Sequence, residues 1–222
     1  MDFPLPANEA RRARALHAQQ ILDTTSERVF DELTELAALI CGTPISLISL
    51  VDEHRQWFKS RHGLEATETP REQAFCTHAI LGDELLVVPD AVEDARFAEN
   101  PLVQGEPGIR FYAGAPLTVG KDLRLGTLCV IDRVPRQLDE NQRNALRILA
   151  NSVQSLIELR RARMDLEKLR SLVPMCAWCR SVRVEGEDDA KPDWVPLHRY
   201  VEDRISVSHG LCPGCREEHF TS

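Results

Sequence analysis

Residues 109–131 read IRFYAGAPLTVGKDLRLGTLCVI. Two apolar runs, 109–119 and 123–131, flank the polar interval Gly120-Lys121-Asp122, so the stretch predicts a β-hairpin. In its second arm Cys129 shares a face with Leu125, Thr127 and Ile131 and reads as a core thiol. Working back toward the N-terminus, 94–108 is irregular, 85–88 is a compact apolar strand closed by Pro89-Asp90, and 73–81 is a short helix reached from the polar stretch 65–71. Residues 44–51 carry Ile45 and Leu47 and a second set, Ile48 and Leu50, around two serines. Together with 56–60 they predict another hairpin, turning at Asp52-Glu53-His54. Before it, Asp23-Thr24-Thr25-Ser26 offers capping side chains to a helix whose Val29, Phe30, Leu33, Leu36, Ala37 and Ile40 recur on one face until Gly42. Helix, strands, an irregular insert, a hairpin and a further helix predict an α+β domain built on an antiparallel sheet with flanking helices.

Downstream, 139–173 contains neither Gly nor Pro, and Leu146, Leu149, Val153, Leu156, Leu159, Ala162, Leu166, Leu169 and Val173 step by threes and fours. The steps form a heptad seam with one extra three, a stammer, near Leu159. Up to Leu159 a helix lying on its own domain explains the pattern as well as a coiled coil does. Beyond it Arg160, Arg161, Arg163, Lys168 and Arg170 are too charged for a core, so a long dimeric helix leaving the domain is expected, and with it a homodimer.

The 222 residues carry 27 basic and 35 acidic side chains, a net charge of −8, and 43% of them are hydrophobic. That composition is globular, and its negative surface repels phosphate backbones and anionic lipid, so neither nucleic acid nor a membrane is an expected partner. The N-terminal ten residues hold no apolar signal region, and Gly42-Thr43-Pro44 interrupts the longest apolar stretch, so a cytoplasmic location is expected. Seven cysteines in a reducing compartment read as metal ligands or redox centres rather than disulfides.

Four of those cysteines lie after Pro174. Cys176-x2-Cys179 and Cys212-x2-Cys215 are two CxxC pairs, the spacing that delivers four soft ligands to one tetrahedral zinc from two tight turns. His209 either replaces one thiolate or caps the site, and Trp194, Leu197 and Tyr200 or Val201 form a helical stripe to cover it. Thioredoxin-like chemistry is the competing reading, but it accounts for one pair and leaves the other without a role. From Ser171 onward six basic against nine acidic side chains disfavour a nucleic-acid-reading finger.

Residues 21 to about 159 resemble the GAF domain of bacterial sensor histidine kinases and cyclic-nucleotide signalling proteins. The matching stretches are ILDT (21–24), SLVDEHRQWFKSRHGL (49–64), FCTHAI (75–80), VVPDA (87–91) with DARFAENPLV (94–103), and IRFYAGAPL (109–117) with LGTLCVIDRVPRQL (125–138). A second resemblance, carried by LVPMCAWCRSVR (172–183), DWVPLHRYV (193–201) and SHGLCPGC (208–215), is to a short cysteine module appended to GAF, PAS and receiver domains. The resemblances imply an N-terminal segment 1–20, a GAF domain 21–140, a connecting helix 141–173 and a zinc module 174–222. They also imply a ligand pocket near Cys76, His78, Arg110, Phe111 and Tyr112, with zinc held by Cys176, Cys179, Cys212 and Cys215. Cys76 differs from a bilin-attachment cysteine in that Thr77 separates it from His78, so a buried structural thiol is the plainer reading. Asp94, Arg96 and Asn100 either contact ligand or hold the insert by capping and ion pairing. The function implied is a non-enzymatic sensor or adaptor that responds to a small molecule or to redox state and acts on a protein partner in a signalling pathway. The alternative is a GAF-fold enzyme of the free methionine sulfoxide reductase type, with Cys76 and Cys129 as its only plausible thiol pair.

Overall fold

The computed structural model describes residues 3–170, 174–184 and 193–202. The chain forms two compact units, 1–163 and 164–222.

In the first unit, helices α1 (Glu9–Ala18) and α2 (Arg28–Cys41) precede strands β1 (Ile45–Val51), β2 (Arg55–His62) and β3 (Glu68–Pro70). A 3-10 turn (Arg71–Gln73) leads to α3 (Phe75–Ala79) and β4 (Leu86–Val88). Then come α4 (Pro101–Gln104), β5 (Phe111–Val119), β6 (Leu123–Asp132) and the long α5 (Glu140–Arg170), of which the part up to Arg163 belongs to this unit. The six strands form one antiparallel sheet in the order β3-β2-β1-β6-β5-β4, with the expected β5–β6 hairpin near its centre. The expected α+β class and antiparallel sheet are therefore present. β3 arises inside the stretch expected to be only polar, where Glu68 and Thr69 pair with Trp57 and Gln56.

Both faces of the sheet's centre are buried, each against its own layer, which is why β1, β5 and β6 read as nearly continuous apolar runs. Ile48 and Leu50 of β1, Phe111, Ala113 and Ala115 of β5 and Leu128 and Val130 of β6 pack under α1, α2 and α5. The alternate residues Ile45, Leu47, Tyr112, Cys129 and Ile131 pack against α3 and the insert that carries α4. Gly126 permits the close approach of β6 to β1, since a Cβ there would lie 1.8 Å from the Ser49 carbonyl oxygen. Leu125 does not share a face with Cys129 as expected. The β5–β6 register shifts at Leu117/Thr118, and the irregularity turns Leu125 into the helix-side core.

Three further expectations are corrected by packing. Leu16 of α1 and the following Ile21 are fully buried in the domain core. Residues 23–26 do not cap α2, which begins after Glu27 without a side-chain cap; instead Thr24 and Thr25 accept hydrogen bonds from the buried Lys59 ammonium. The core face of α2 is Phe30, Thr34, Ala37, Ala38 and Cys41, which leaves Val29, Leu36 and Ile40 exposed. On α5, Leu146, Leu149 and Val153 of the expected seam belong to the domain's own core, together with Ile157. Each such burial is worth about 2 kcal/mol, and these residues are spent inside the domain. Leu159 and Leu166 remain 65% and 49% exposed. The side chain of Leu169, and Val173, lie outside the described residues.

In the second unit β7 (Val182–Val184) pairs antiparallel with β8 (Asp193–Val195), followed by α6 (Leu197–Glu202). Trp194 is therefore on a strand opposite Arg183 rather than on the expected helical stripe. No helix among the described residues is long and apolar enough to cross a membrane.

Candidate functional site

The insert-side face of the sheet does not close completely. Gln56 and Phe58 of β2, Ile45 and Leu47 of β1, Tyr112 of β5 and Cys129 and Ile131 of β6 meet Phe75 and Cys76 of α3. Leu64, Leu102, Pro107 and Ile109 complete the wall, leaving a cavity of about 320 Å³. Glu65, Glu106 and Arg133 also line it, Arg133 being the single cation among the described lining residues.

Gln56 brings a buried polar side chain to the wall of this cavity. It is 5% exposed, its Nε2 donates to Thr69 Oγ1 at 3.3 Å, and its Oε1 is buried with no hydrogen-bond partner. An orphaned amide oxygen beside an apolar void costs about 1–3 kcal/mol, which a ligand donor would recover.

Deeper in the wall, Cys76 Sγ accepts hydrogen bonds from Tyr112 Oη at 3.2 Å and Thr127 Oγ1 at 3.0 Å. Gly114 makes that placement of the phenol possible, since a Cβ there would lie 2.1 Å from the Tyr112 hydroxyl. Ser49, whose hydroxyl meets no partner within ordinary hydrogen-bond geometry, also faces the sulfur. Burial pushes the Cys76 thiol up, but interactions with Cys129, Ser49, Thr127 and Tyr112 outweigh it and bring the thiol down to about 7. Cys129 is driven the other way, well above the usual thiol range, by its interaction with Cys76 and by burial. Tyr112 is raised by burial and by the two neighbouring sulfurs.

Of the five pocket residues expected from sequence, Cys76 and Tyr112 line the cavity. Phe111 faces the opposite core under the helices, as its strand parity requires. Arg110 is turned to the insert and donates to the Val103 and Ile109 carbonyls at 2.9 and 3.1 Å. His78 packs edge-on to Phe97 and borders a separate surface hollow with Arg96 and Asn100. Burial, then Arg96, lower its pKa. Asp94 and Arg96 pair at 2.6 Å, and Asn100 caps α4 through Leu102 N at 2.9 Å, so these three hold the insert. Gln56, Ser49 and Thr127 were missed. For Ser49 and Thr127 the signal was a hydroxyl inside an apolar strand, which sequence alone does not separate from a tolerated one; Gln56, in the polar-rich β2, carried no distinguishing signal.

The Cys176–Cys179 segment forms a tight turn between the Met175–Val182 bridge partners. Cys176 N donates to Ser181 O at 2.8 Å, Arg180 N returns to Cys176 O at 2.9 Å, and Arg180 adopts a left-handed φ of 59°. The Ser181 hydroxyl and amide, then Cys176, bring the exposed Cys179 thiol down to about 7. Trp178, between the two cysteines, is 96% exposed. Cys212, Cys215 and His209 lie outside the described residues, and among the described ones no group of three metal-ligating side chains occurs.

The fold is thus an antiparallel sheet with helices on one face and a cavity under an insert on the other. Residues 25–157 match the GAF domain family model, and the chain belongs to that family. It is 48% identical over 133 residues to a cyclic di-GMP phosphodiesterase of Pseudomonas aeruginosa, a match that covers 60% of this chain and 23% of the relative's length. Its fold is similar to the GAF domain of a phosphoenolpyruvate-protein phosphotransferase from Acinetobacter, with a TM-score of 0.52 and 19% identity over 71% of this chain and 97% of the other. It is also similar to free methionine-R-sulfoxide reductase from Neisseria meningitidis in complex with its substrate, with a TM-score of 0.50 and 18% identity over 73% and 98% of the two chains.

Proposed function

We propose that this chain is a non-enzymatic sensor or adaptor whose GAF domain holds a small, largely apolar molecule and signals through α5 to a zinc-bound cysteine module that engages a protein partner. The observation that carries the ligand reading is the orphaned Gln56 Oε1 in the wall of an apolar cavity of about 320 Å³. The ligand class is a neutral molecule of aromatic size with an N–H or O–H group directed at Gln56. One rim cation against two carboxylates is poor provision for a phosphodiester, so cyclic dinucleotides are not the expected ligand. The relative at 48% identity bears a signalling enzyme's name, which accords with a regulatory role for the matched segment.

For the module, four thiolates in two CxxC turns suit Zn²⁺, and the Cys176–Cys179 turn has the compactness that such a ligand pair needs. Cys176, Cys179, Cys212 and Cys215 would hold the ion, which cross-links a segment too small for a core of its own. Trp178, exposed between two ligands, suits contact with a protein partner. A second copy of the chain is the proposed homodimer partner, covering Leu36, Leu156 and Leu159. Native mass spectrometry of freshly purified full chain tests the ligand reading. A retained small molecule that is lost in Gln56→Leu supports it, and empty wild-type protein that also fails to bind indole overturns it. The adjacent Cys76 and Cys129 favour the methionine sulfoxide reductase type as a second reading. Sulfoxide-dependent thiol consumption abolished by Cys76→Ser would establish that enzyme instead.

A further inference from the structure

Cys76 and Cys129 are not accounted for by ligand holding. They come from elements far apart in sequence, α3 and β6, yet both line the same cavity. Cys76 Sγ sits at the focus of two hydroxyl donors, Tyr112 Oη and Thr127 Oγ1, at 3.2 and 3.0 Å. The buried hydroxyls find their acceptor in this sulfur, and the same two donors are placed to stabilise it when it carries negative charge. Both cysteines are free thiols in this structure.

We propose that Cys76 and Cys129 are a reversible dithiol couple in the cavity wall, oxidised to an intramolecular disulfide by a small hydroperoxide that enters the cavity. In the first step Cys76 sulfur attacks the O–O bond of ROOH. An S–O bond forms, the O–O bond breaks, and the proton given up by the thiol ends on the departing ROH, leaving Cys76 as a sulfenic acid. In the second step the Cys129 sulfur displaces hydroxide from that sulfenic acid. An S–S bond forms, the S–O bond breaks, and the Cys129 proton leaves with the hydroxide as water. The two thiols lose two electrons and two protons, and the hydroperoxide is reduced to alcohol and water; a cellular dithiol returns the pair by exchange. The two hydroxyl donors on Cys76 Sγ, which would stabilise its thiolate, assign attack to Cys76 and resolution to Cys129. A cross-link between α3 and β6 would draw two cavity walls together, so the oxidised domain is expected to lose its ligand. This last consequence rests on the ligand reading given above, while the couple itself requires only the cavity.

The test uses the full chain, reduced and then exposed to hydrogen peroxide, with remaining thiols alkylated after unfolding and peptides mapped by mass spectrometry. The expected product joins the peptides bearing Cys76 and Cys129, is two hydrogens lighter, and disappears with dithiothreitol. In Cys129→Ala, Cys76 is expected to stop at a sulfenic acid trapped by dimedone. Thr127→Val keeps both thiols and the packing volume but removes one donor, and cross-linking is expected to slow about tenfold. Should Cys76 and Cys129 both stay alkylatable under peroxide that oxidises the exposed Cys179, the couple is overturned. An unchanged rate in folded Thr127→Val would remove the role given to the donors. Gln56→Leu separates the two readings, because it should abolish ligand retention while leaving the cross-link intact. Ligand retention that survives Gln56→Leu therefore tells against the ligand site alone, and a cross-link that fails to form in wild-type protein retaining its ligand tells against the couple alone.

Discussion

Arg160, on α5, donates from Nε to Glu27 Oε1 at 3.0 Å, and the same oxygen accepts from the Lys59 ammonium at 2.7 Å. The Lys59 side chain is fully buried. It lies on β2 next to Phe58, which lines the cavity, so one carboxylate ties α5 to a strand of the cavity wall. Burial opposes ionisation of Glu27, but Lys59 and Arg160 prevail and hold its pKa below the usual carboxylate value.

Glu27→Gln is therefore expected to destabilise the domain by about 2 kcal/mol. The loss is smaller than for a fully enclosed pair because Glu27 stays partly solvated, yet real because the Lys59 charge keeps only neutral acceptors. Lys59→Met removes the charge and replaces it with packing, and should cost less. Urea denaturation of the two variants measures the order.

Glu9 joins two fully buried guanidinium groups, donating partners Arg12 at 2.8 Å and Arg71 at 2.6 Å. Burial raises its pKa, but these hydrogen bonds bring it from 4.5 to about 2. A carboxylate depressed by folding stabilises the native state above its unfolded pKa and loses that contribution as pH falls through the folded one. Stability should thus decline between about 4.5 and about 2 with a component that Glu9→Gln abolishes. The same variant should cost about 3 kcal/mol at neutral pH by leaving Arg12 and Arg71 without their shared counter-ion. Thermal melts across that pH range check both.

Gly114→Ala places a methyl group where the Tyr112 phenol lies, and the side chain must move away from Cys76. A destabilisation of about 2 kcal/mol is expected, with a thiol that alkylates more slowly at neutral pH because one donor has left it. Calorimetry and a timed alkylation read the two effects separately.

Zinc removal should expose residues 175–222 to protease and leave residues 20–160 resistant, since neither Cys176 nor Cys179 belongs to the first unit's core. Cys212→Ser should do the same without chelator. Elemental analysis of anaerobically purified protein is expected to find one zinc per chain.

Leu36 and Leu159 border an exposed apolar groove between α2 and α5. Leu36→Glu with Leu159→Glu would place charges in it and should convert a dimer to monomer without unfolding the domain, as read by sedimentation velocity. Wild-type protein that sediments as a monomer at high concentration would remove the dimer.

The hairpin at Gly120, the strands β1, β2, β4, β5 and β6, the long helix and the two CxxC pairs were all legible in the sequence, because each is a local pattern of side chains and turn residues within a few positions of one another. Tertiary structure decided which face each strand residue took. The register shift that sends Leu125 across the sheet, and the parity that turns Phe111 away from the cavity beside Tyr112, depend on pairing between strands. It also decided the fate of the α5 seam. Heptad spacing looks the same whether Leu146, Leu149 and Val153 meet a second chain or the sheet of their own domain, and here the sheet takes them. Likewise, no local pattern could bring Cys76 to Cys129 or orphan Gln56 Oε1. Burial and hydrogen bonding belong to the neighbours that folding supplies, and those neighbours are separated from these residues by tens of positions in the chain.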